Sequence, residues 1–455
     1  MKKLLILTLL TTASLSGFTQ SIDLKPENFS FKEGTVEFLN YKGQKSMKVA
    51  ADAGIVEINN LNFKNGTIEY DVESMPGNFS TSVYFHRKDD KEQEIVYLRI
   101  TKMGDKLANE AIQYAPYFDG VNMWDMLPHY QAPAEIREDW NHMKMVISGK
   151  RMKVYCNGKG VLDIPELEGR NPDGKIAFDG GSYISNIVIK PDVTEGLNPE
   201  ALPDLTDHRS NFIRDWAITS PMPLTKGQDI STDNLPDGEA FDTSISAERL
   251  GLINLTKEYG MSKERRVIWL KAVIESKVAQ AVDLDLGFSD ELWVFLNNRM
   301  VYVDKNLYRQ DMRKHPNGRI SSENGSVRLK LKSGKNEITM AVANDFYGWG
   351  IIARLKTTNN ITALEKFIPQ MALAIENIEP YLGIYSNAGI PIKISFIEKE
   401  GKLTAQATDQ EPLDFKYIGK DVFINEKESL QLLFKPEEKK VVLTQAGQET
   451  EFMKE

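Results

Sequence analysis

The chain has 455 residues and a formal net charge of −9. A chain this acidic has no general attraction for nucleic-acid phosphates or anionic membranes, so we expect neither as a partner. Cys156 is the only cysteine, which excludes an internal disulfide framework and a thiolate metal cluster. The length predicts about three domains of ordinary size.

The first 19 residues have the pattern of an export signal. Lys2 and Lys3 precede the apolar run 4–10, and small residues precede Gln20. The apolar run is shorter than the roughly 20 residues that a membrane span requires. We therefore predict a signal peptide over 1–19, no membrane span, and a periplasmic or extracellular mature chain.

Residues 20–191 alternate apolar and polar side chains, which predicts a β-sandwich. The runs 66–73 and 94–100 have this period of two. Later, two apolar runs flank Asn157 and Gly158. Both turn residues of such a hairpin must take positive φ, which Asn and Gly tolerate best, so we predict a tight β-hairpin there. The next segment, 192–210, contains prolines and aspartates and reads as a linker.

Residues 211–358 predict a second β-domain with the strand content of a jelly roll. Its clearest hairpin is 291–303, which turns at Asn297 and Asn298. Residues 359–379 form a further connection, because 361–378 switches to a helical period that predicts one short helix. The last segment, 380–455, holds many short strands with brief turns and predicts a small up-and-down barrel. The predicted fold class is all-β: sandwich, jelly roll, one short helix and small C-terminal barrel.

The first domain resembles the concanavalin-A-like lectin/glucanase sandwich, in its LamG-type branch. The matching runs are 66–72, 140–144, 154–158 and 180–187. This resemblance implies a glycan or polysaccharide as the partner. Active glucanases of that family carry carboxylates spaced Glu-x-Asp-x-x-Glu on one strand. Here the run 69–73 places Glu69, Asp71 and Glu73 on one face without that spacing, so no catalytic residue is assigned.

The other two domains also carry resemblances. The second is similar to galactose-binding-like jelly rolls through the runs 289–298, 331–338 and 348–350. The third resembles the lipocalin-like domain appended to some β-lactamase-related serine hydrolases, through 381–385 and its short strands. The mature chain contains neither Ser-x-x-Lys nor Gly-x-Ser-x-Gly, the motifs of such hydrolases.

The sequence assigns no cofactor and no metal site. Five histidines are scattered without the spacing of a zinc site. Jelly rolls often hold structural calcium, and Asp283, Asp285 and Asp290 are carboxylates that could bind it. These acids do not form an Asp-x-Asp-x-Asp-Gly loop, and solvated strand ends explain them better.

Aromatic residues are concentrated at 112–130. Flat rings beside a few fixed polar groups are what a sugar-binding surface requires, because sugar rings present apolar C–H faces rimmed by hydroxyls. In a β-rich domain some of these rings could instead fill the core. The candidate carbohydrate-binding residues are Tyr114, Tyr117, Trp124, His129 and Tyr130, with Trp349 in the second domain.

These observations favour an exported carbohydrate-binding protein without evident catalytic machinery. One alternative is a divergent glycoside hydrolase that uses carboxylates of the first sandwich. Another is a non-catalytic envelope scaffold. The sequence leaves the glycan and the oligomeric state open.

Overall fold

The computed structural model describes residues 20–309, 311–369, 375–399, 401–445 and 447–455. The predicted signal peptide lies outside the described residues. The chain divides into two compact units, the first ending at Pro203 and the second beginning at Asp204. Strands dominate both units, which confirms the all-β class. Within the described ranges, no helix is long and apolar enough to cross a bilayer.

The first unit consists of two antiparallel sheets. Its strands β1 to β16 are, in chain order, Gln20–Ser21, Phe29–Ser30, Val36–Tyr41, Gln44–Val49, Val56–Ile58, Gly66–Ser74, Ser80–Arg87, Gln93–Arg99, Ile112–Phe118, Val121–Asn122, Gln131–Ala132, Asn141–Ser148, Arg151–Cys156, Lys159–Ile164, Lys175–Asp179 and Ser182–Pro191. The first sheet has the strand order β14-β13-β12-β6-β16-β4-β3, and β1 also pairs with β16. The second sheet has the order β10-β9-β8-β7-β15-β5-β2, and β11 also pairs with β9. Short 3-10 helices lie at Pro26–Asn28, Ile100–Lys102 and Pro128–Tyr130.

The core of this unit lies between the two sheets. Tyr70 of β6 meets Phe178 of β15 edge to face, with ring centroids 5.2 Å apart. Successive side chains of a strand point to opposite faces, so Val83 and Phe85 enter the core while Tyr84 between them lies on the outer face. Each sheet therefore presents one inner and one outer surface.

The hairpins predicted from Asn-Gly and Asn-Asn are confirmed. Cys156 pairs with Lys159 across a turn in which Asn157 and Gly158 have φ of +52° and +77°. In the second unit, the corresponding turn lies at Asn297 and Asn298, whose φ angles are +48° and +62°. Cys156 is buried in its strand, as a small hydrophobic residue would be.

The second unit contains a two-sheet jelly roll and a closed barrel. Strands β17 to β28 are Asp215–Ile218, Met222–Pro223, Thr243–Ser246, Leu252–Asn254, Arg266–Ser276, Gln280–Ser289, Glu291–Leu296, Arg299–Lys305, Gly325–Leu331, Gly334–Ala343, Gly350–Leu355 and Ile361–Lys366. One jelly-roll sheet has the strand order β19-β17-β21-β26-β23-β24, and β18 and β28 also pair with β21. The other sheet has the order β20-β27-β22-β25. The α-helix is Leu255–Tyr259, and 3-10 helices lie at Thr232–Asn234, Gly238–Ala240, Arg249–Gly251, Glu379–Tyr381 and Pro436–Glu438.

The C-terminal barrel confirms the predicted up-and-down closure. Its strands pair in sequence from β29 to β36, and β36 closes on β29. Phe396, Phe423 and Phe434 pack with Tyr381 and Tyr385 in its interior. A partly open cavity of about 240 Å³, lined mainly by aliphatic side chains, occupies part of the barrel. Strands β29 to β36 are Gly383–Asn387, Ile390–Lys399, Lys402–Ala407, Leu413–Gly419, Val422–Asn425, Leu430–Lys435, Lys440–Gln445 and Gln448–Lys454.

The helix predicted over 361–378 is wrong for its first six residues. Ile361–Lys366 is strand β28, which pairs with β21. Its register shifts between Glu275 and Ser276, and this bulge adds one residue to β28. Ile361 and Leu364, three residues apart, therefore both pack against the jelly-roll core, and this spacing imitates a helical period. Residues 370–374 of the predicted helix lie outside the described residues.

Candidate functional site

The outer face of the second sheet of the first unit carries a cluster of aromatic side chains. Strand register brings it together, because Tyr84 lies opposite Ile95 on one side and Ala177 on the other, and Ile95 lies opposite Ala115. We call this surface the tyrosine face; its members are Tyr84, Ile95, Tyr97, Ala115, Tyr117, Trp124 and Ala177. The two alanines contribute only methyl groups, and both are fully covered by their neighbours.

Access to the tyrosine face is uneven. Only 5% of the Tyr84 surface and 7% of the Tyr97 surface is exposed to solvent, whereas Tyr117 and Trp124 are half-buried. The Tyr84 and Tyr117 rings lie 6.3 Å apart between centroids. A ligand would therefore meet Tyr117 and Trp124 first, because their rings have the most available surface.

Hydrogen bonds fix one end of this face. The Nη2 atom of Arg99 donates to Tyr97 Oη at 2.8 Å and to Gln113 Oε1 at 2.7 Å. Tyr97 Oη also donates to Gln113 Oε1 at 2.9 Å, and Gln113 Nε2 donates to the Trp124 carbonyl at 2.7 Å. These bonds connect β8, β9 and the turn that carries Trp124. The side chains are thereby held in place before any ligand arrives, which lowers the entropic cost of binding.

Carboxylates lie at the other end of the face. Burial raises the pKa of Asp179 above its ordinary range, although the backbone N–H of Gly180 and the hydroxyl of Tyr84 favour its ionised form. Tyr84 Oη lies 3.5 Å from Asp179 Oδ2. Glu57 is held by Lys175 at 2.5 Å and by Arg87 at 3.5 Å. This end offers hydrogen-bond acceptors that could bind hydroxyl groups.

Three of the six predicted binding residues belong to the core instead. Tyr114 lies on the inner face of β9, where its hydroxyl donates to Glu94 and accepts the N–H of Glu168 at 2.8 Å. Tyr130 is equally buried and donates to Glu168 at 3.0 Å. Burial raises the pKa of Tyr114 well above its ordinary value. Neither ring can stack on a ligand from solvent, so the prediction is wrong for both.

Trp349 is the third correction. It has 1% of its surface exposed within the jelly-roll core, and the Arg266 guanidinium lies 5.3 Å from its ring. The Gly-Trp-Gly context resembles a loop in the sequence, but Gly350 begins strand β27 and Trp349 packs inward beside it.

Tyr117, Trp124 and His129 remain candidates. Tyr117 accepts a hydrogen bond from Asn122 at 3.3 Å, and Asn122 also accepts the N–H of Trp124 at 3.0 Å. The structure thus brings Tyr117 and Trp124 together on the tyrosine face. His129 is exposed on the 3-10 helix Pro128–Tyr130, where its ring centroid lies 4.1 Å from that of Tyr130.

Four residues of the candidate site are not among the candidates predicted from the sequence: Tyr84, Tyr97, Arg99 and Gln113. The signal that could have found them is strand phase. In the runs 82–85 and 96–99, the apolar residues Val83, Phe85, Val96 and Leu98 enter the core and alternate with Ser82, Tyr84, Tyr97 and Arg99 on the outer face. Their grouping depends on pairing between β7, β8 and β9, which local sequence does not reveal.

The carboxylates of the hydrolase alternative lie on the outer face of the first sheet. Glu69 pairs with Lys190 at 2.8 Å, and Glu73 pairs with Lys42 at 2.7 Å. Asp71 lies 2.7 Å from His142 Nδ1. These contacts are those of an ion-paired sheet surface.

The suggested calcium ligands have other contacts. Asp283 pairs with Arg328 at 3.2 Å, and Asp285 pairs with Arg354 at 2.9 Å. In the part of the chain that the structure describes, no three or more His, Cys, Asp or Glu side chains are grouped to hold a metal ion. Calcium binding stays a prediction.

No family model matches the chain, and no curated protein matches it. Solved structures match part of it. A carbohydrate-binding module from Bacillus subtilis is 14% identical over 36% of this chain and 92% of its own, with a TM-score of 0.26. A Bacillus licheniformis β-glucanase is 12% identical over 39% and 93%, with a TM-score of 0.25. A Caenorhabditis elegans galectin is 12% identical over 37% and 99%, with a TM-score of 0.23. Such identities and TM-scores carry no argument about what this chain binds.

Proposed function

We propose that this protein is an exported carbohydrate-binding protein that holds a glycan on its tyrosine face. The observation that carries the proposal is the pair of half-buried rings, Tyr117 and Trp124, beside polar groups fixed by hydrogen bonds. The pattern of residues 1–19 supports the exported location. Glycan binding would use the two accessible rings of an otherwise buried aromatic cluster.

The chemistry of the face suits a sugar ring. A ring stacked on Trp124 or Tyr117 would bury its C–H surface, and such contacts contribute on the order of 1 kcal/mol each. Asp179 and Tyr84 supply an acceptor and a hydroxyl for the sugar's own hydroxyl groups. This combination of apolar surface and a few oriented polar groups is characteristic of small-molecule sites.

The test is glycan binding by wild-type protein and a Trp124→Ala variant. A glycan array identifies a ligand, and titration calorimetry then measures its affinity. We expect about tenfold weaker binding for Trp124→Ala, because each 1.4 kcal/mol is a factor of ten. Trp140→Ala is the matched control, since Trp140 is also half-buried but packs beside Tyr41 at the first sheet.

Thermal unfolding distinguishes a binding role for Trp124 from a packing role. Removing a core tryptophan costs roughly 3–5 kcal/mol of stability, whereas a half-buried ring should cost much less. The proposal is wrong if wild-type protein binds no glycan on the array, or if Trp124→Ala binds as tightly as Trp140→Ala does.

A further inference from the structure

Arg99 is a buried cation at the fixed end of the tyrosine face. It ends strand β8, has 6% of its surface exposed, and lies with its guanidinium 4.8 Å from the centre of the Tyr97 ring. Its side chain donates to three oxygens, those of Tyr97, Gln113 and the Glu110 backbone. All three acceptors are uncharged. The positive charge of Arg99 is therefore solvated by dipoles rather than by an opposite charge.

Other arginines of the same unit with similar burial have carboxylate partners. Arg87 lies 2.6 Å from Asp90, and Arg151 lies 2.6 Å from Asp163. Among the described residues, no carboxylate lies within ion-pair distance of Arg99. The nearby Glu110 side chain instead contacts Lys102 at 3.0 Å.

An unpaired buried charge is costly, because it loses water without gaining an opposite charge. A guanidinium has five N–H donors. The three bonds use both N–H groups of Nη2 and one of Nη1, so the Nε–H and one Nη1–H remain. A hydrogen bond from a guanidinium to a carboxylate is charge-assisted and roughly twice as strong as a neutral one. The arrangement at Arg99 is thus incomplete in a way that an anionic group would complete.

We propose that the glycan bound on the tyrosine face is an acidic one, and that Arg99 binds the carboxylate of a uronic acid residue. This inference rests on the proposed carbohydrate-binding function. Tyr97 would pack against the same sugar, and Tyr117 with Trp124 would stack on neighbouring rings. A sulfate ester would present a similar negative charge, and the ligands tested must separate the two.

The charge at the opposite end of the tyrosine face sets the orientation of the bound glycan. Asp179 lies on β15, two strands away from β8 and so roughly 10 Å across the sheet. A second carboxylate placed there would be repelled by Asp179, whereas sugar hydroxyls could donate to it. The acidic sugar therefore sits at the Arg99 end, and a hydroxyl-rich sugar at the Asp179 end.

The first experiment changes the ligand and uses the full wild-type chain. Calorimetry compares polygalacturonate and alginate with the same polymers after their carboxyl groups are reduced to alcohols. Dextran sulfate and dextran form the second matched pair. We expect at least one uronate polymer to bind about tenfold more tightly than its reduced form. Equal affinity for the acidic and reduced polymers overturns this inference while leaving carbohydrate binding intact. A preference for dextran sulfate over both uronate polymers overturns the uronate assignment, and no binding to any polymer overturns both proposals.

The second experiment changes the protein. Arg99→Gln should abolish the preference for the acidic polymer, with little change in affinity for the reduced polymer. Arg99→Lys retains the charge, but its ammonium cannot make the same set of bonds to Tyr97, Gln113 and the Glu110 carbonyl, so it should keep part of the preference. Arg151→Gln is the matched control, since it removes a buried arginine from the first sheet. An unchanged acid preference in Arg99→Gln contradicts the inference.

Discussion

Asp290 is a carboxyl group held inside the jelly roll beside strand β23. Its Oδ2 atom accepts the backbone N–H groups of Asp345 at 2.5 Å and Phe346 at 2.8 Å, and the Ser289 hydroxyl donates to its Oδ1 atom at 2.9 Å. Burial raises the pKa of Asp290 to about 7, and these donors offset only part of that effect. In the folded protein the group therefore stays protonated to a higher pH than in the unfolded chain.

This raised pKa predicts a pH-dependent stability. Between the ordinary value of 3.8 and about 7, the folded state binds more protons than the unfolded state. The contribution of Asp290 to stability is therefore fully present below pH 3.8 and is lost as the pH rises from 3.8 to about 7. We expect Asp290→Asn, which cannot titrate, to make the dependence of unfolding free energy on pH shallower between pH 4 and 7. Urea unfolding at a series of pH values measures this slope.

Ser289→Ala provides the matched comparison for Asp290. The Ser289 hydroxyl favours the ionised carboxylate, so its removal should raise the pKa further and extend the loss of stability above pH 7. If the slope is the same in wild-type protein and in both variants, Asp290 does not control the pH dependence.

At the scale of elements, the hairpin of β13 and β14 depends on one glycine. Gly158 has a φ of +77°, a region that costs other residues about 1–2 kcal/mol. Gly160, two residues later, has ordinary backbone angles, and an added methyl group would meet the Tyr155 ring at 3.6 Å, an ordinary contact. We expect Gly158→Ala to lower the unfolding free energy by about 1 kcal/mol and Gly160→Ala to change it little. Equal effects in chemical denaturation would show that backbone conformation does not limit this turn.

The same hairpins show what the sequence can reveal. Positive φ is a local requirement, so Asn157-Gly158 and Asn297-Asn298 indicate their turns without knowledge of the rest of the fold. Strand alternation likewise reveals the all-β class. The strand at Ile361–Lys366 could not be recognised, because a bulge set by its distant partner β21 gives it a helical spacing.

The candidate site was only partly accessible to sequence reasoning for a related physical reason. The density of rings at 112–130 draws attention to β9, but the strand divides these rings between two faces. Tyr114 points inward to Glu94, while Tyr117 points outward toward Tyr84. The pairing register of β8 and β9 places Arg99 in the candidate site, so its place there can be recognised only when the two strands are paired.

At the scale of the whole molecule, the jelly roll and the barrel of the second unit are joined through Glu426. This residue follows β33 of the barrel, and its carboxylate accepts the N–H of Gly238 at 2.5 Å. Its backbone carbonyl accepts a hydrogen bond from Asn298 of the jelly roll. A methyl group on Gly238 would clash with the Glu426 carboxylate, so the two segments are in close contact. The jelly roll therefore anchors the turn after β33, although Gly238 and Asn298 are distant from that turn in the sequence.

Removing the Glu426 side chain should loosen the barrel without unfolding the jelly roll. Glu426→Ala leaves the Gly238 N–H without its acceptor, and a lost hydrogen bond to a charged group is worth about 1.5–3 kcal/mol. We expect hydrogen exchange, followed by mass spectrometry, to become at least tenfold faster in β33 and β34, since tenfold corresponds to 1.4 kcal/mol. Exchange in β21 and β26, the central strands of the jelly roll, should not change. Glu428→Ala is the control, because Glu428 is exposed on the same turn and its carboxylate does not contact Gly238. Equal protection of β33 and β34 in the two variants would mean that the barrel keeps its stability independently, through its own aromatic interior and closed strand pairing.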